Sequence, residues 1–143
     1  MAPRQLERNI NELLARAPFA SFMGVHATIG VDGLTIKMPF RQELVGNVRL
    51  PTLHGGVTGA FLELTALAQG LWITKCTRYL KTIDLTVSYL RPGRTADTWG
   101  RAEVTKQGRS VAHVSCTAWQ EDRHRPIATA QGHFFVIAAP SLS

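Results

Sequence analysis

A chain of 143 residues, 45% hydrophobic and 18% charged, suits one domain with its own core, and that composition excludes a disordered or low-complexity protein. A domain of this size buries roughly 70% of the surface that its unfolded chain exposes, so the fold does not depend on a disulfide or a metal. The net charge of +6 comes from 16 Lys and Arg against 10 Asp and Glu, with no dense basic run. With no nucleic-acid motif in sight, it leaves a solvated surface or a site for a phosphorylated small ligand.

The first 17 residues interleave Arg4, Glu7, Arg8, Glu12 and Arg16, unlike the unbroken apolar stretch of a signal peptide. With no uninterrupted apolar run of 18 residues, a transmembrane helix is not expected. The expectation is a soluble cytoplasmic protein without membrane or nucleic-acid partners. Cys76 and Cys116 have neither the count of a disulfide framework nor zinc-ligand spacing, and both read as reduced packing residues.

Along the chain, Gln5 to Ala17 predicts a short helix. Ile10, Leu13, Leu14 and Ala17 fall at i, i+3, i+4 and i+7, and Pro18 ends it. Phe22 to Gly30 is a weakly patterned strand. Leu34, Ile36 and Met38 alternate with polar neighbours, and Asp32-Gly33 is a hairpin signal. Phe40 to Leu53, with Gly46, Asn47 and Pro51, reads as a loop. Gly56 to Gln69 then has helical spacing and is apolar on most sides, as a buried helix must be; Gly70 is its expected stop.

After that, strands dominate. Lys81 to Leu90 puts Ile83, Leu85, Val87 and Tyr89 on one face. Trp99 to Thr105 and Ser110 to Trp119 turn around Gln107-Gly108. The polar turn Glu121 to Arg125 leads to a last strand, Ile127 to Ile137, and Ala138 to Ser143 reads as a flexible tail. Consecutive strands with tight turns imply an antiparallel sheet. The whole chain, 1–143, is expected to be one α+β domain, a curved antiparallel sheet wrapped around a central buried helix.

Chemistry concentrates at the start of that helix. His54-Gly55-Gly56 opens it, so bare backbone amides point at whatever lies beyond the N-terminus and favour negative charge there. Glu63 sits inside the helix among Ala60, Phe61, Leu62, Leu64, Thr65 and Ala66. A carboxylate in such surroundings needs a partner or a task. Free amides can hold an oxyanion, and a carboxylate can be a general base or a nucleophile. These are the parts of an acyl-transfer site. Gly55 and Glu63 are eight residues apart, roughly 12 Å along a helix. One helix cannot bring both to one carbonyl, but antiparallel helices of two subunits can, so the site is expected to be shared across a two-fold dimer.

Leu53-His54-Gly55-Gly56-Val57, an acidic residue nine positions after the histidine, and the segment Thr82-Ile83-Asp84-Leu85-Thr86-Val87-Ser88-Tyr89-Leu90-Arg91-Pro92 resemble the hotdog-fold acyl-CoA thioesterases, in particular the phenylacetate-degradation (PaaI-like) type. The likeness runs from about Phe19 to Val136. It implies the hotdog fold and hydrolysis of acyl-CoA to a free acid and CoA, with no metal or redox cofactor. It further implies a homodimer with a continuous sheet, commonly paired into a homotetramer. By the same resemblance, Gly55 supplies the oxyanion amide and His54 orients that turn or the substrate. Glu63 is base or nucleophile, and Thr82 helps to place the carboxylate or the water. Many relatives carry Asp where this chain has Glu63. They also have an Asn about six residues before the histidine, whereas Asn47 stands seven before. Gly56, Asn47 and Phe61 are taken as substrate-binding, and Phe61 with Trp72 as candidates for the acyl pocket. Alternative readings are a hotdog enoyl-CoA hydratase or dehydratase, and a non-catalytic acyl-CoA binding module. His26, His113, His124 and His133 have no ligand spacing, and Asp84 is assigned no catalytic role.

Overall fold

The computed structural model describes residues 1–139. Pro3 sits at the start of α1 (Pro3–Arg16), where a missing N–H costs nothing. Its buried stripe is Leu6, Ile10 and Leu14; Ala17 stays exposed. Pro18 does end α1, and it also opens a second short helix, α2 (Pro18–Met23). The strand expected from Phe22 therefore starts only at His26. β1 (His26–Gly30) and β2 (Gly33–Met38) form the hairpin that Asp32-Gly33 signals.

The segment read as a loop holds a 3-10 turn at Gln42–Leu44 and two short paired strands, β3 (Val45–Asn47) and β4 (Thr52–Leu53). The central helix α3 spans Gly55–Ile73. Gly70 is not its stop but a point of close approach, since a Cβ there would stand 2.5 Å from Leu80 Cγ. Without that side chain the helix seats directly on the sheet. β5 (Arg78–Tyr89), β6 (Thr98–Gln107), β7 (Val111–Trp119) and β8 (Ala128–Ala138) complete the chain. The six-stranded sheet runs β1-β2-β6-β7-β8-β5, antiparallel at every pairing. Of the expected tail, Ala138 ends β8 and Ala139 donates its N–H to Thr77 O; residues 140–143 lie outside the described residues. One antiparallel sheet with a long central helix packed against it is the expected hotdog architecture.

α3 buries Thr58, Phe61, Leu62, Thr65, Ala66 and Gln69, and Phe61 and Thr65 meet β6 at Gly100. By length and composition α3 could cross a membrane, yet it packs as a core helix with 39% of its most apolar window buried. The remaining face, with Val57, Ala60, Leu64, Leu67 and Leu71, is only partly covered by the chain itself. Apolar surface left in water is costly, so this face calls for a cover.

The two sheet edges are treated differently. On β1, Asn11 of α1 takes both the N–H and the C=O of Ala27 (2.7 and 2.9 Å), and Glu7 accepts from Ile29 N–H at 2.8 Å. Side chains thus occupy that edge and block further strand pairing. On the free edge of β5, among the described residues, only the start is occupied in this way, by Thr74 Oγ1 at 3.0 Å from Arg78 O and 3.4 Å from Arg78 N. The register of β5 on β8 shifts between Thr82 and Asp84, a bulge at Ile83. The shift breaks the expected face: Leu85 and Val87 pack on the core, while Ile83 is 43% exposed. Asp84 pairs with His133 on the exposed side of the sheet, where the ring and backbone N–H of His133 hold the Asp84 carboxyl below its ordinary range. Cys76 and Cys116 are free thiols, and burial pushes Cys116 up to about 12.

Candidate active site

The entry to α3 is built by His54. It is the N-cap, with extended backbone (φ −60°, ψ 132°). Its carbonyl accepts the N–H groups of Val57 and Thr58 at 2.9 and 3.1 Å, and its Nδ1 accepts from Gly56 N–H at 2.9 Å. In the neutral ring the proton is therefore on Nε2. These bonds use up the first-turn donors except one. The N–H of Gly55 has no acceptor among the described residues, and it stands at the positive end of a 19-residue helix. Of the residues expected here, the structure brings His54, Gly55 and Gly56 together, with the Gly56 amide committed to the cap.

His54 itself is braced from outside. Its N–H donates to Leu44 O at 2.9 Å, and β3 passes so close that a Cβ on Gly46 would lie 2.7 Å from His54 Cα. A Gly46→Ala protein should therefore lose about 1–3 kcal/mol of stability, the usual cost of overpacking, read as a lower urea midpoint at unchanged m-value. Asn47, one residue on, accepts from the N–H groups of Arg49 and Leu50 at 3.0 and 3.3 Å. It orders its own loop and is not joined to the His54 cluster.

Tyr89 is a residue whose role the sequence did not reveal. Its hydroxyl donates to Gly55 O at 2.7 Å, tying the end of β5 to the helix start. Its presence in the strand motif was visible, but its reach across to α3 depends on the register shift at Ile83. A cleft of about 370 Å³ opens beside it, lined by Leu53, Gly55, Thr58, Tyr89, Arg91 and Pro92 among others. A second hollow of about 270 Å³ shares Arg91, Pro92 and Ile127 and adds Arg94 and Arg125. Gly55 thus lines a cleft that continues into a hollow where Arg91, Arg94 and Arg125 stand beside Glu121 and Asp122. Arg94 pairs with Glu121 at 3.1 Å in an exposed contact, which is worth little and is easily exchanged for another anion.

Glu63 lies elsewhere. It is half-buried on the helix face that the sheet does not cover, and it makes no hydrogen bond or ion pair among the described residues. Contacts of Leu80 at Gly70, Val87 at Gly59 and Tyr89 at Gly55 run β5 antiparallel to α3. Thr82 therefore sits along the stretch of the helix between Gly59 and Gly70, nearer the Gly70 end and away from Gly55. Phe61, expected beside substrate, is fully buried (0% exposed) against Gly100. Trp72 packs over the β1–β2 hairpin at Gly33. Among the described residues no group of three His, Cys, Asp or Glu side chains converges as metal ligands.

Residues 50–127 match the family model of the thioesterase superfamily. A solved structure from Chromobacterium violaceum is 34% identical, with 96% of this chain and 95% of that chain covered and a TM-score of 0.73. A thioesterase from Haemophilus influenzae shares the fold at 23% identity, 95% and 93% coverage and a TM-score of 0.77. So does a Bacillus halodurans protein solved with CoA, at 20% identity, 96% and 94% coverage and a TM-score of 0.74. No curated protein matches the chain.

Proposed function

Since this chain belongs to the thioesterase superfamily, we propose that it hydrolyses acyl-CoA thioesters at a site that two copies of it build together. The observation that carries this reading is a pair of groups left without partners among the described residues: the N–H of Gly55 and the carboxylate of Glu63. Each lacks what a reacting thioester supplies. They stand roughly 12 Å apart along one helix, too far to meet at one carbonyl. A two-fold axis between antiparallel α3 helices would bring Gly55 of one copy towards Glu63 of the other. The open β5 edge and the uncovered apolar face of α3 support that pairing, because both would be satisfied by a second copy at once.

In the reaction, water adds to the thioester carbonyl while Glu63 takes its proton, or Glu63 adds directly and the resulting anhydride is hydrolysed. Either way the carbonyl oxygen gains negative charge and receives the Gly55 N–H. The C–S bond then breaks and the departing thiolate takes up a proton. His54 holds the turn that aims the amide, and Thr82 stands on the Glu63 side to position carboxylate or water. Arg91, Arg94 and Arg125, along the hollow that continues the Gly55 cleft, give the CoA phosphates their cations; the CoA-bound Bacillus halodurans protein has the same fold.

Release of free thiol from acyl-CoA tests this, with the same acyl group on pantetheine as comparison. Turnover is expected to saturate, with kcat/KM for the pantetheine thioester at least about tenfold lower, the loss of one charge-assisted contact or more. Binding of acyl-CoA without thiol release would point to a binding module, and hydration of an enoyl-CoA to a hydratase.

A further inference from the structure

On the side of the sheet away from α3, two histidines meet. Along β7, Ala112 and Val114 point into the core, so His113 between them points out. Along β8, Gly132 and Phe134 point in and His133 points out. Chain spacing does not join the two rings, but the register of β7 on β8 sets His113 opposite His133. Their ring centroids lie 4.9 Å apart, with the planes tilted by 59°. The backbone N–H of His133 turns towards β5, where Asp84 accepts it at 2.9 Å. On the β7 side the pair is therefore of the non-hydrogen-bonded kind, in which opposite side chains come closest. Each ring is held by one nitrogen. His133 Nδ1 stands 3.0 and 3.2 Å from the two Asp84 oxygens, so that nitrogen carries the proton. The Thr105 hydroxyl gives its single proton to His113 O at 3.2 Å and therefore accepts from His113 Nδ1. In the neutral rings both Nε2 lone pairs are left without a donor among the described residues.

We propose that His113 and His133 together bind one divalent transition cation through their Nε2 atoms, Cu²⁺ most tightly and Zn²⁺ or Ni²⁺ after it. Two imidazoles on one ion, each bound at about 2.0–2.1 Å and about 90–110° apart, place their ring centroids about 4.5–5.2 Å from one another. The observed 4.9 Å lies within that span. Asp84 behind His133 and Thr105 behind His113 are the outer partners that metal-binding imidazoles use, because they fix the tautomer and raise the basicity of the ring. The bulge at Ile83 is what turns the Asp84 carboxylate to that place. Two protein ligands leave the remaining positions of the ion to water, in keeping with the lack of a third converging ligand among the described residues. A hard cation such as Mg²⁺, which takes oxygen ligands, has no such set here. The sheet separates this pair from Gly55 and Glu63, and the proposal stands independently of the thioesterase reading.

The test is calorimetric titration of the untagged chain with copper(II), zinc and magnesium chlorides. Saturable binding of one Cu²⁺ per chain, weaker binding of Zn²⁺ and no binding of Mg²⁺ are expected. Asp84→Asn keeps the shape and an acceptor for the His133 N–H but not the charge, and should weaken Cu²⁺ binding by about 10–100-fold, as loss of an outer partner does. His113→Ala and His133→Ala should each cost at least as much. In the wild-type chain, substoichiometric Cu²⁺ should broaden the ring proton resonances of His113 and His133 before those of His26, His54 and His124. No saturable Cu²⁺ binding, an affinity unchanged in Asp84→Asn or in both alanine variants, or broadening that reaches another histidine first overturns the proposal.

Discussion

Glu63→Ala is expected to lower kcat for acyl-CoA hydrolysis by about 10²–10⁴-fold, the range for loss of a positioned general base, without loss of stability. The two effects separate because Glu63 makes no intrachain hydrogen bond or ion pair among the described residues. Nothing in the fold leans on its carboxylate, and alanine is the better helix former. Glu63→Gln should lose activity to the same degree, since it keeps the size and loses the basicity. Thermal unfolding beside steady-state thiol release checks both halves. A variant that keeps more than a tenth of wild-type kcat would remove Glu63 from the chemistry.

The second large effect concerns a backbone atom. Gly55→Pro should cost about 10²–10³-fold in kcat, as removal of an oxyanion donor does, with the fold intact. Proline replaces the N–H under discussion and is at home at the first position of a helix. The preceding residue must be extended next to proline, and His54 already is, at φ −60° and ψ 132°. A side-chain carbon at Gly55 would meet the Tyr89 ring at 3.7 Å, an ordinary contact. Gly55→Ala keeps the amide and is the control, expected near wild-type turnover. Equal loss in both variants would mean that space, not the N–H, matters there.

What was legible in the sequence was local. Asp32-Gly33 between alternating runs, the polar turns between the last strands and the all-round apolarity of α3 each arise from a few neighbouring residues, and each is where it was expected. His54-Gly55-Gly56 was legible for the same reason, since a cap and its free amides belong to one turn. The rest depends on what lies across the fold. Gly70 looks like a helix stop until Leu80 is seen against it. The apolar pattern of α3 does not say which side faces the sheet, so Phe61 could be placed near substrate although it lies in the core beside Thr65 and Gly100. Ile83 breaks an even alternation by bulging, and that shift accompanies the reach of Tyr89 to Gly55. The bonds from Asn11 and Glu7 that close the β1 edge span 16 and 22 residues, beyond any local pattern.

The shared site has a decisive test in mixed dimers. Gly55→Pro chains and Glu63→Ala chains, each nearly inactive alone, are unfolded together, refolded and assayed for thiol release. If each site joins Gly55 of one copy to Glu63 of the other, half of a random mixture is heterodimer with one wild-type site of two, and about a quarter of wild-type activity per chain returns. If both groups act within one chain, no combination holds a complete site, and activity that stays at the level of the separate variants would contradict the account.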